Sequence, residues 1–317
     1  MKNLYCALLL VLWGATGLWA QQESHYTQFM YNQQLINPAF SGERGVPSIY
    51  TLYRQQWIGY EGAPRSGLIG FSSPFLTDRT GFGLVVSTHS VGIFQSWLAT
   101  MSYSYNLPIT ENFAIRFGVQ GNMKNIRLDF SDPSIVKLND VDPAVLDGVV
   151  SSRFNGNFGA GILAKYKEYF LGFSIPHIFP NEIGFNKDNG RLKIAREEPH
   201  FYLSTGITFP VGTGLKLRPM VLAKYVEDAP GDLDINVSLI MQDKITAGLS
   251  YRLGGEGAGE SVDLTLFYQV KQLGMGVAYD VNVSSLRTVN SGSFEIIIRY
   301  DFEPQSANDL TNPRSQF

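Results

Sequence analysis

GSFEIIIRYDF, residues 292–302, alternates between polar and apolar side chains over most of its length. One face of an extended strand would carry Phe294, Ile296, Ile298, Tyr300 and Phe302, and the other face Ser293, Glu295, Arg299 and Asp301. Because successive side chains of a strand point to opposite faces, this pattern indicates a strand that is wet on one side only. An apolar face with an aromatic residue at each end suits a barrel wall between lipid and a polar lumen. The stretch therefore predicts the last strand of an outer-membrane β-barrel.

Earlier segments repeat this alternation from about residue 47 onward. One of the clearest apolar faces consists of Phe113, Ile115, Phe117 and Val119. We count about fourteen such segments, most of them about 9–13 residues long, which is the length that crosses a bilayer at a tilt. The predicted fold class is all-β: a transmembrane antiparallel outer-membrane β-barrel of about 14 strands.

The connections between the predicted strands alternate between long and short. The long ones include residues 58–64, 126–152 and 177–199, and the short ones include LTDRT, PITEN and KYKEY. Outer-membrane barrels have short periplasmic turns at one rim and longer extracellular loops at the other, whereas a soluble β-sandwich has no reason to sort its loops in this way. With an even number of strands, both chain ends are expected in the periplasm.

The N-terminus has the pattern of a secretory signal peptide in residues 1–20. Lys2 precedes an apolar core at residues 4–13, and small residues then lead to a cleavage point before Gln21. The single cysteine, Cys6, lies inside this segment, so the exported chain is expected to have no thiol chemistry and no disulfide. The expected location is the outer membrane of a Gram-negative bacterium.

Composition excludes few classes of protein. After the signal peptide no run of roughly 18 apolar residues follows, which argues against a helical membrane protein. The formal net charge of −3 is too small to suggest a nucleic-acid partner. We expect neither a cofactor nor a metal, because the acidic loop with Asp140, Asp142 and Asp147 lacks the glycine and the further ligands of a calcium loop.

Two segments lie outside the predicted barrel, which spans residues 47–303. Residues 21–46 are polar and aromatic with no sustained period, and they are predicted to form a periplasmic N-terminal segment or a plug. Residues 304–317 are polar, contain two prolines and are predicted to form a tail. Asn37-Pro38 favours a turn, and Gly42 is suited to a positive φ angle.

Four short motifs near the start of the exported chain resemble the PorP/SprF family of the type IX secretion system. They are YTQFMYN at residues 26–32, INPAFSG at residues 36–42, YRQQW at residues 53–57 and GAP at residues 62–64. The resemblance continues less sharply to the last strand. It marks these candidate partner-binding or structural residues: Asn37, Pro38, Ala39, Gly42, Tyr53, Arg54, Gln56, Trp57, Gly62, Ala63 and Pro64.

The resemblance implies a non-catalytic component of the type IX secretion system in the outer membrane, surrounded by its lipid. Members of this family are expected to work with type IX translocon components and with a secreted adhesin or surface protein. They would bind the C-terminal sorting domain of that partner and assist its export or its anchoring at the cell surface, in some cases for gliding motility. The loops at residues 126–152 and 177–199 would then form the docking surface.

Two other functions compete with this one. A serine hydrolase needs a nucleophile, a base and an orienting group within hydrogen-bond reach, and the bases on offer are His25, His89, His177 and His200. No nucleophile-elbow motif accompanies them, so catalysis is not expected. A diffusion porin or small-molecule transporter is the alternative of a different class. The lumen-side charges Arg54, Arg116, Glu295, Arg299 and Asp301 would then act as a selectivity filter, although a salt-bridged wall in a filled barrel is the favoured interpretation.

Overall fold

A computed structural model describes residues 25–131, 148–187, 190–227, 231–254, 261–283 and 285–303. The predicted signal peptide, the acidic loop with Asp140, Asp142 and Asp147, and the predicted tail at residues 304–317 lie outside the described residues. Within the described part of the chain, no helix is long and apolar enough to cross a membrane.

The described chain is built almost entirely from strands. In chain order they are β1 (Ser48–Gln55), β2 (Arg65–Phe75), β3 (Thr77–Val91), β4 (Phe94–Thr110), β5 (Phe113–Asp129), β6 (Val149–Ser151), β7 (Asn155–Tyr166), β8 (Tyr169–Ile175), β9 (Asn181–Lys187), β10 (Gly190–Glu197), β11 (His200–Ile207), β12 (Phe209–Gly212), β13 (Leu215–Val226), β14 (Asp232–Met241), β15 (Ile245–Leu253), β16 (Ser261–Val270), β17 (Leu273–Asn282) and β18 (Ser293–Asp301). Four short 3₁₀ turns accompany them, at Phe29–Tyr31, Gln33–Leu35, Pro38–Phe40 and Ser285–Thr288.

Fourteen of these strands close into one antiparallel barrel, which confirms the predicted fold class. The first and last strands close it at one seam, where β1 pairs with β18 from Ser48 opposite Asp301 to Gln55 opposite Phe294. Strand β11 pairs with the later part of β13, and β12 continues in line with β11 and pairs with the start of β13. Closure leaves no unpaired sheet edge, which is the condition for a β-structure to cross a bilayer.

The terminal strand has the two faces that its alternation predicts. Ile296, Ile298 and Tyr300 are each 42–43% exposed on the outer surface, whereas Glu295 is fully buried in the interior. Ile297 is an apolar residue that also faces inward, and it packs in the core of the lumen. The face of each side chain therefore follows from the period of two, even where the residue type does not fit the rule.

The two rims of the barrel differ in their connections. Both ends of the barrel chain lie at what we call the turn rim, where connections as short as Leu76 and residues 111–112 and 271–272 join the strands. Several of these turns contain a non-glycine residue with positive φ, such as Leu76 and Lys271, as tight hairpins require. The opposite rim, here the loop rim, carries residues 56–64, 176–199 and 283–292.

Three details at the loop rim differ from the sequence prediction. The β3–β4 connection is only Gly92-Ile93, because these two strands and β5, at 15 to 17 residues each, are longer than the span of a bilayer requires. The predicted connection at residues 126–152 is shorter, since β5 continues to Asp129 and β6 pairs with it. The connection at residues 177–199 contains the hairpin of β9 and β10, whose pattern was not recognised in the sequence.

The interior of the barrel is occupied by residues 25–46, which we call the head segment. Phe29, Met30 and Phe40 of this segment are at most 7% exposed and belong to one apolar cluster with inward-facing residues of the wall. The wall contributes Tyr50, Leu52, Leu68, Val85, Leu163, Phe170, Tyr202, Met220, Leu222, Phe267 and Ile297. The core of this protein therefore lies inside the barrel, between the head segment and strands on all sides of it.

Candidate functional site

The Asn37-Pro38-Ala39 motif forms a capped 3₁₀ turn pressed against the barrel wall. The Asn37 side-chain oxygen accepts a hydrogen bond from the Ala39 N–H at 2.9 Å, and Pro38 occupies the first position of the turn. The Asn37 amide group also donates to the backbone oxygens of Ile162 on β7 and Phe173 on β8, at 3.1 and 3.3 Å. One side chain thus caps the turn and ties it to two strands.

Glycines on the wall allow this close approach. A Cβ atom added at Gly118 of β5 would lie 2.2 Å from the Ala39 backbone nitrogen, and one at Gly161 of β7 would lie 2.1 Å from the Asn37 side-chain oxygen. Both distances are far below van der Waals contact. The fit between the head segment and the wall therefore depends on residues that have no side chain.

The end of the INPAFSG motif is fixed by Arg116 and by backbone geometry. Arg116 donates from Nε to the Ala39 oxygen at 3.0 Å and from Nη2 to the Ser41 oxygen at 2.8 Å. Gly42 has a φ of 68°, and a Cβ there would lie 2.6 Å from the Cα of Gly81. The Gly42 N–H donates to the Ser72 hydroxyl at 2.8 Å. Glycine is required at position 42 on both conformational and steric grounds.

Arg54 of the YRQQW motif lies at the centre of a buried charge network. Its Nη2 lies 2.6 Å from Asp280 Oδ2 on β17, and its Nη1 lies 3.4 Å from Glu295 Oε2 on β18. The Glu295 carboxylate accepts hydrogen bonds from the backbone N–H groups of Thr27 and Gln28, both at 2.9 Å. The start of the head segment is therefore attached to three neighbouring strands through one arginine and two carboxylates.

His25 contacts a second cluster of charged side chains, which lies on β13 and β14. Its Nδ1 lies 2.8 Å from Lys224 Nζ, and its Nε2 lies 3.4 Å from the Asp232 carboxylate. Burial, together with the positive charges of Lys224 and Arg252, holds the pKa of His25 well below its usual value of 6.5. His25 is therefore neutral at pH 7, and its Nδ1 accepts a hydrogen bond from the lysine.

Glu43 forms an ion pair with Lys165 of β7 at the far end of the head segment. Burial by itself would raise the pKa of Glu43, but the charge and hydrogen bond of Lys165 outweigh it, and the pKa lies below the usual 4.5. The head segment thus carries an electrostatic attachment near each end and apolar packing between them.

The remaining motif residues lie away from the lumen, in and beside the 56–64 loop. The Trp57 N–H donates to the Ser293 hydroxyl at 3.2 Å, and the Gln56 N–H donates to the Pro64 oxygen at 2.9 Å. The oxygen of Gly62 accepts from the Gly92 N–H at 2.8 Å. This loop connects to the start of β18 through Trp57 and to the β3–β4 hairpin through Gly62.

The candidate residues fall into three places and do not form a single site. Asn37, Pro38, Ala39, Gly42 and Arg54 lie inside the lumen, with Arg54 in a separate network from the other four, and Gln56, Trp57, Gly62, Ala63 and Pro64 lie at the loop rim. Tyr53 is 44% exposed on the outer face beside Phe294, with ring centroids 6.0 Å apart. The first group holds the head segment, and the second organises the rim.

Several residues of the charge networks were not singled out in the sequence. Asp280 and Thr27 complete the Arg54 network. Elsewhere in the lumen, Arg252 Nε of β15 lies 2.6 Å from Asp234 Oδ1 of β14. Alternation places Asp280, Asp234 and Arg252 on the lumen face, which is the only signal that identifies them. Within the lumen Arg54 pairs with Glu295 and Arg299 pairs with Asp301, whereas Arg116 is held by backbone oxygens of the head segment, which agrees with the filled-barrel interpretation of these charges.

One histidine, His89, lies within hydrogen-bond distance of a serine hydroxyl. His89 Nδ1 lies 2.9 Å from the Ser66 hydroxyl, across a β2–β3 pair that the sequence did not indicate. A serine–histidine pair needs a third group to orient the base, and among the described residues no carboxylate forms an ion pair with His89. In the same described part of the chain, no group of three or more acidic, histidine or cysteine side chains is placed to hold a metal ion.

Comparison with solved structures gives the class of protein. The monoaromatic hydrocarbon channel CymD aligns with a TM-score of 0.53 at 10% identity, over 86% of this chain and 94% of that chain. The ΔS2S3 mutant of the monoaromatic hydrocarbon channel TodX aligns with a TM-score of 0.50 at 12% identity, over 85% and 94%. At such low identity the likeness concerns the fold alone, which is that of an outer-membrane β-barrel.

The sequence itself gives the family. Residues 18–300 match the family described as type IX secretion system membrane protein PorP/SprF. None of the curated proteins matches the chain. The match spans most of the chain, including all of the barrel strands except the last residue of β18, so this protein belongs to the PorP/SprF family and is a membrane protein of the type IX secretion system in the outer membrane.

Proposed function

We propose that this protein is a non-catalytic receptor of the type IX secretion system that binds the C-terminal sorting domain of a secreted partner. It would assist the export of this adhesin or surface protein, or its anchoring at the cell surface, together with translocon components. The single observation that carries the proposal is the family match over residues 18–300. The filled lumen supports it, because a wall bound to a head segment is suited to a scaffold rather than to an open passage.

The loop rim is the part of the barrel best suited to receive a partner. Phe154 and Phe179 are 62% and 56% exposed; the Phe154 ring contacts Trp97 of β4, and the Phe179 N–H donates to the Asn157 side chain of β7. Large apolar side chains at a polar rim are typical of protein interaction sites. We therefore assign the docking surface to the connections at residues 126–152 and 177–199, with Phe154 directly after the first of them.

Replacement of both aromatic residues tests this assignment. A chain with Phe154→Ser and Phe179→Ser should fold but should retain less of its secreted partner when outer membranes are solubilised in detergent and the complex is purified. Surface display of that partner should fall in parallel. The matched control is Val211→Ser, since Val211 is 51% exposed at the turn rim. Full retention and display by the double variant would remove the support for the docking surface.

Deletion of the whole protein tests the function itself. Without it, the secreted partner should lose its surface display or its anchoring, while other secreted proteins remain at the surface. Unchanged display would contradict the proposed function even if the rim variants behaved as expected.

A diffusion porin or small-molecule transporter is the alternative, and the channel structures that share this fold are compatible with it. A porin must conduct ions as an isolated barrel in a planar bilayer. The head segment, packed on all sides within the lumen, leads us to expect almost no conductance from the intact chain. A steady open conductance would favour the porin.

A further inference from the structure

A cavity of about 100 Å³ lies inside the turn rim, between the head segment and the wall. It is bordered by Tyr31 and Arg44 of the head segment and by Arg218, Phe267 and Arg299 of the wall. A buried water needs roughly 10–15 Å³ on this scale, so the space admits a group of several heavy atoms. No role in the proposed function uses this cavity.

Arg218 of β13 is a buried cation that has no counter-ion among the described residues. Arg218 is only 2% exposed, and its Nε and Nη2 have no hydrogen-bond partner among the described residues. In the same described set, no carboxylate lies within ion-pair distance of Arg218. The Arg218 guanidinium forms a cation–π contact with Tyr31, whose ring centroid lies 5.6 Å from the guanidinium carbon.

Arg299 of β18 forms the opposite side of the same cavity. Its Nε donates to Asp301 at 3.2 Å and its Nη2 to the Gln269 side chain at 2.9 Å, but its Nη1 has no partner in the described chain. The Arg299 guanidinium lies 5.1 Å from the Phe267 ring centroid, and Phe267 stacks on Tyr31 at 4.2 Å. Two guanidinium groups thus enclose two stacked rings.

The charge around the cavity is strongly positive. Arg44, Arg218, Lys244, Lys271 and Arg299 border it. The two carboxylates of the lining are already engaged, since Asp301 contacts Arg299 and Arg44, and Asp243 lies 2.8 Å from Lys216. The cavity therefore has unpaired positive charge that its own carboxylates do not neutralise.

We propose that this cavity binds an oxyanion, namely a carboxylate group or a phosphate group. An isolated buried charge is costly, and a guanidinium without a counter-ion is satisfied best by a planar or tetrahedral oxyanion that takes two of its N–H groups at once. A water molecule satisfies hydrogen bonds but supplies no negative charge. The ring faces of Phe267 and Tyr31 would contact an apolar body attached to the anion.

The position of the cavity determines from which side the anion comes. Asp243, Lys244, Lys271 and Gln272 lie in the short turns of the turn rim, so the cavity opens on the side where both ends of the barrel chain lie. In outer-membrane barrels this is the periplasmic side. The site is on the opposite rim from the proposed docking surface. A test of anion binding at this site is therefore independent of any test of partner binding.

Thermal unfolding of the purified full chain in detergent tests the proposal, with inorganic phosphate and phenylacetate as probes against chloride at equal ionic strength. A ligand that binds only the folded barrel raises its melting temperature with concentration. We expect a rise with phosphate or phenylacetate and none with chloride. Phosphate as the stronger probe would indicate a phosphate ligand, and phenylacetate as the stronger probe would indicate a carboxylate on an aromatic body.

Arg218→Met is the decisive variant, and its two expected effects have opposite signs. Removing an unpaired buried charge should raise the melting temperature in chloride, because a buried cation without a counter-ion costs stability. The same change should weaken binding of the anion by about tenfold or more, since charge-assisted hydrogen bonds are lost. Arg79→Met removes an exposed charge at the same rim and should leave both quantities unchanged.

The proposal is overturned if neither probe stabilises the wild-type barrel beyond chloride, or if Arg218→Met binds them as well as the wild type does. If Arg218→Met yields no folded barrel, isothermal titration of the wild-type chain with both probes decides the matter on its own, and absence of saturable binding has the same meaning.

Discussion

Arg54 Nη2 on β1 and Asp280 Oδ2 on β17 lie 2.6 Å apart inside the barrel, and the Thr27 hydroxyl contacts both residues. Asp280 and Thr27 are 253 positions apart in the chain, yet both lie in the same desolvated network. The ion pair therefore joins the first barrel strand, a strand next to the last one, and the head segment. Its consequences for stability and for the lumen can be measured.

Replacing Arg54 by methionine should destabilise the barrel strongly. The change leaves Asp280 and Glu295 buried without their cation, and breaking a buried pair in this way costs about 3–5 kcal/mol. The measurement is the free energy of unfolding in denaturant. Arg127→Met is the matched control, because Arg127 is an arginine whose side chain is 48% exposed, and its loss should cost less than about 1 kcal/mol. Equal effects of the two changes would contradict the buried network.

A single added methyl group should displace the head segment from the lumen. Gly118→Ala places a Cβ 2.2 Å from the Ala39 backbone nitrogen, whereas Gly121→Ala on the same strand places its Cβ where no atom lies within 4 Å. Ion conductance in planar bilayers should therefore rise for Gly118→Ala and stay at the wild-type level for Gly121→Ala. If both variants conduct like the wild type, the head segment is not what closes the lumen.

Two glycines with similar backbone angles should differ in their tolerance of alanine. Gly42 has φ 68° and Gly45 has φ 74°, so a Cβ costs about 1–2 kcal/mol of backbone strain at either position. At Gly42 the Cβ also meets the Cα of Gly81 at 2.6 Å, while at Gly45 nothing lies within 4 Å. Gly42→Ala should lower the melting temperature clearly more than Gly45→Ala. Similar losses would show that the contact with Gly81 adds nothing.

The attachment of the head segment should weaken at mildly acidic pH because of His25. Its pKa in the folded chain lies below the usual 6.5, so the unfolded chain binds a proton first as the pH falls. The neutral His25 contributes its full stability above about pH 6.5, and this contribution decreases as the pH drops toward the folded pKa.

His25→Gln isolates this effect. Its free energy of unfolding should change less than that of the wild type between about pH 7 and pH 5.5, while the two curves run parallel above pH 7. Glu43 is no complication in this window, because its lowered pKa makes its contribution disappear only at more acidic pH, below about 4.5. Identical slopes for both chains in the window would rule out His25 as the sensor.

The wall of the barrel was predictable from local pattern. Each strand position faces lipid or lumen according to a period of two, and this holds for Ile296 and Glu295 without knowledge of any other strand. The β3–β4 connection was not predicted correctly. A long loop was expected at this rim, but Gly92-Ile93 forms a two-residue turn between two long strands. Loop length depends on how far strands extend, which alternation does not limit.

The occupied lumen was not predictable in the same way. The head segment has no sustained period, so its sequence left open whether it forms a periplasmic N-terminal segment or a plug. Its position depends on contacts such as Glu295 with the Gln28 N–H, across 267 residues, and on the glycines at positions 118 and 161. No local pattern in the sequence indicates that two residues so far apart in the chain are in contact.

The sequence by itself determined that the chain is an outer-membrane barrel, which faces its strands present, and through the head motifs which family it belongs to. Alternation and short motifs are local, so they can be read without the fold. The tertiary structure decided what fills the barrel, which charges are paired within it and that Arg218 has no counter-ion among the described residues. Those features depend on closure of β1 against β18, which brings distant residues into one desolvated interior.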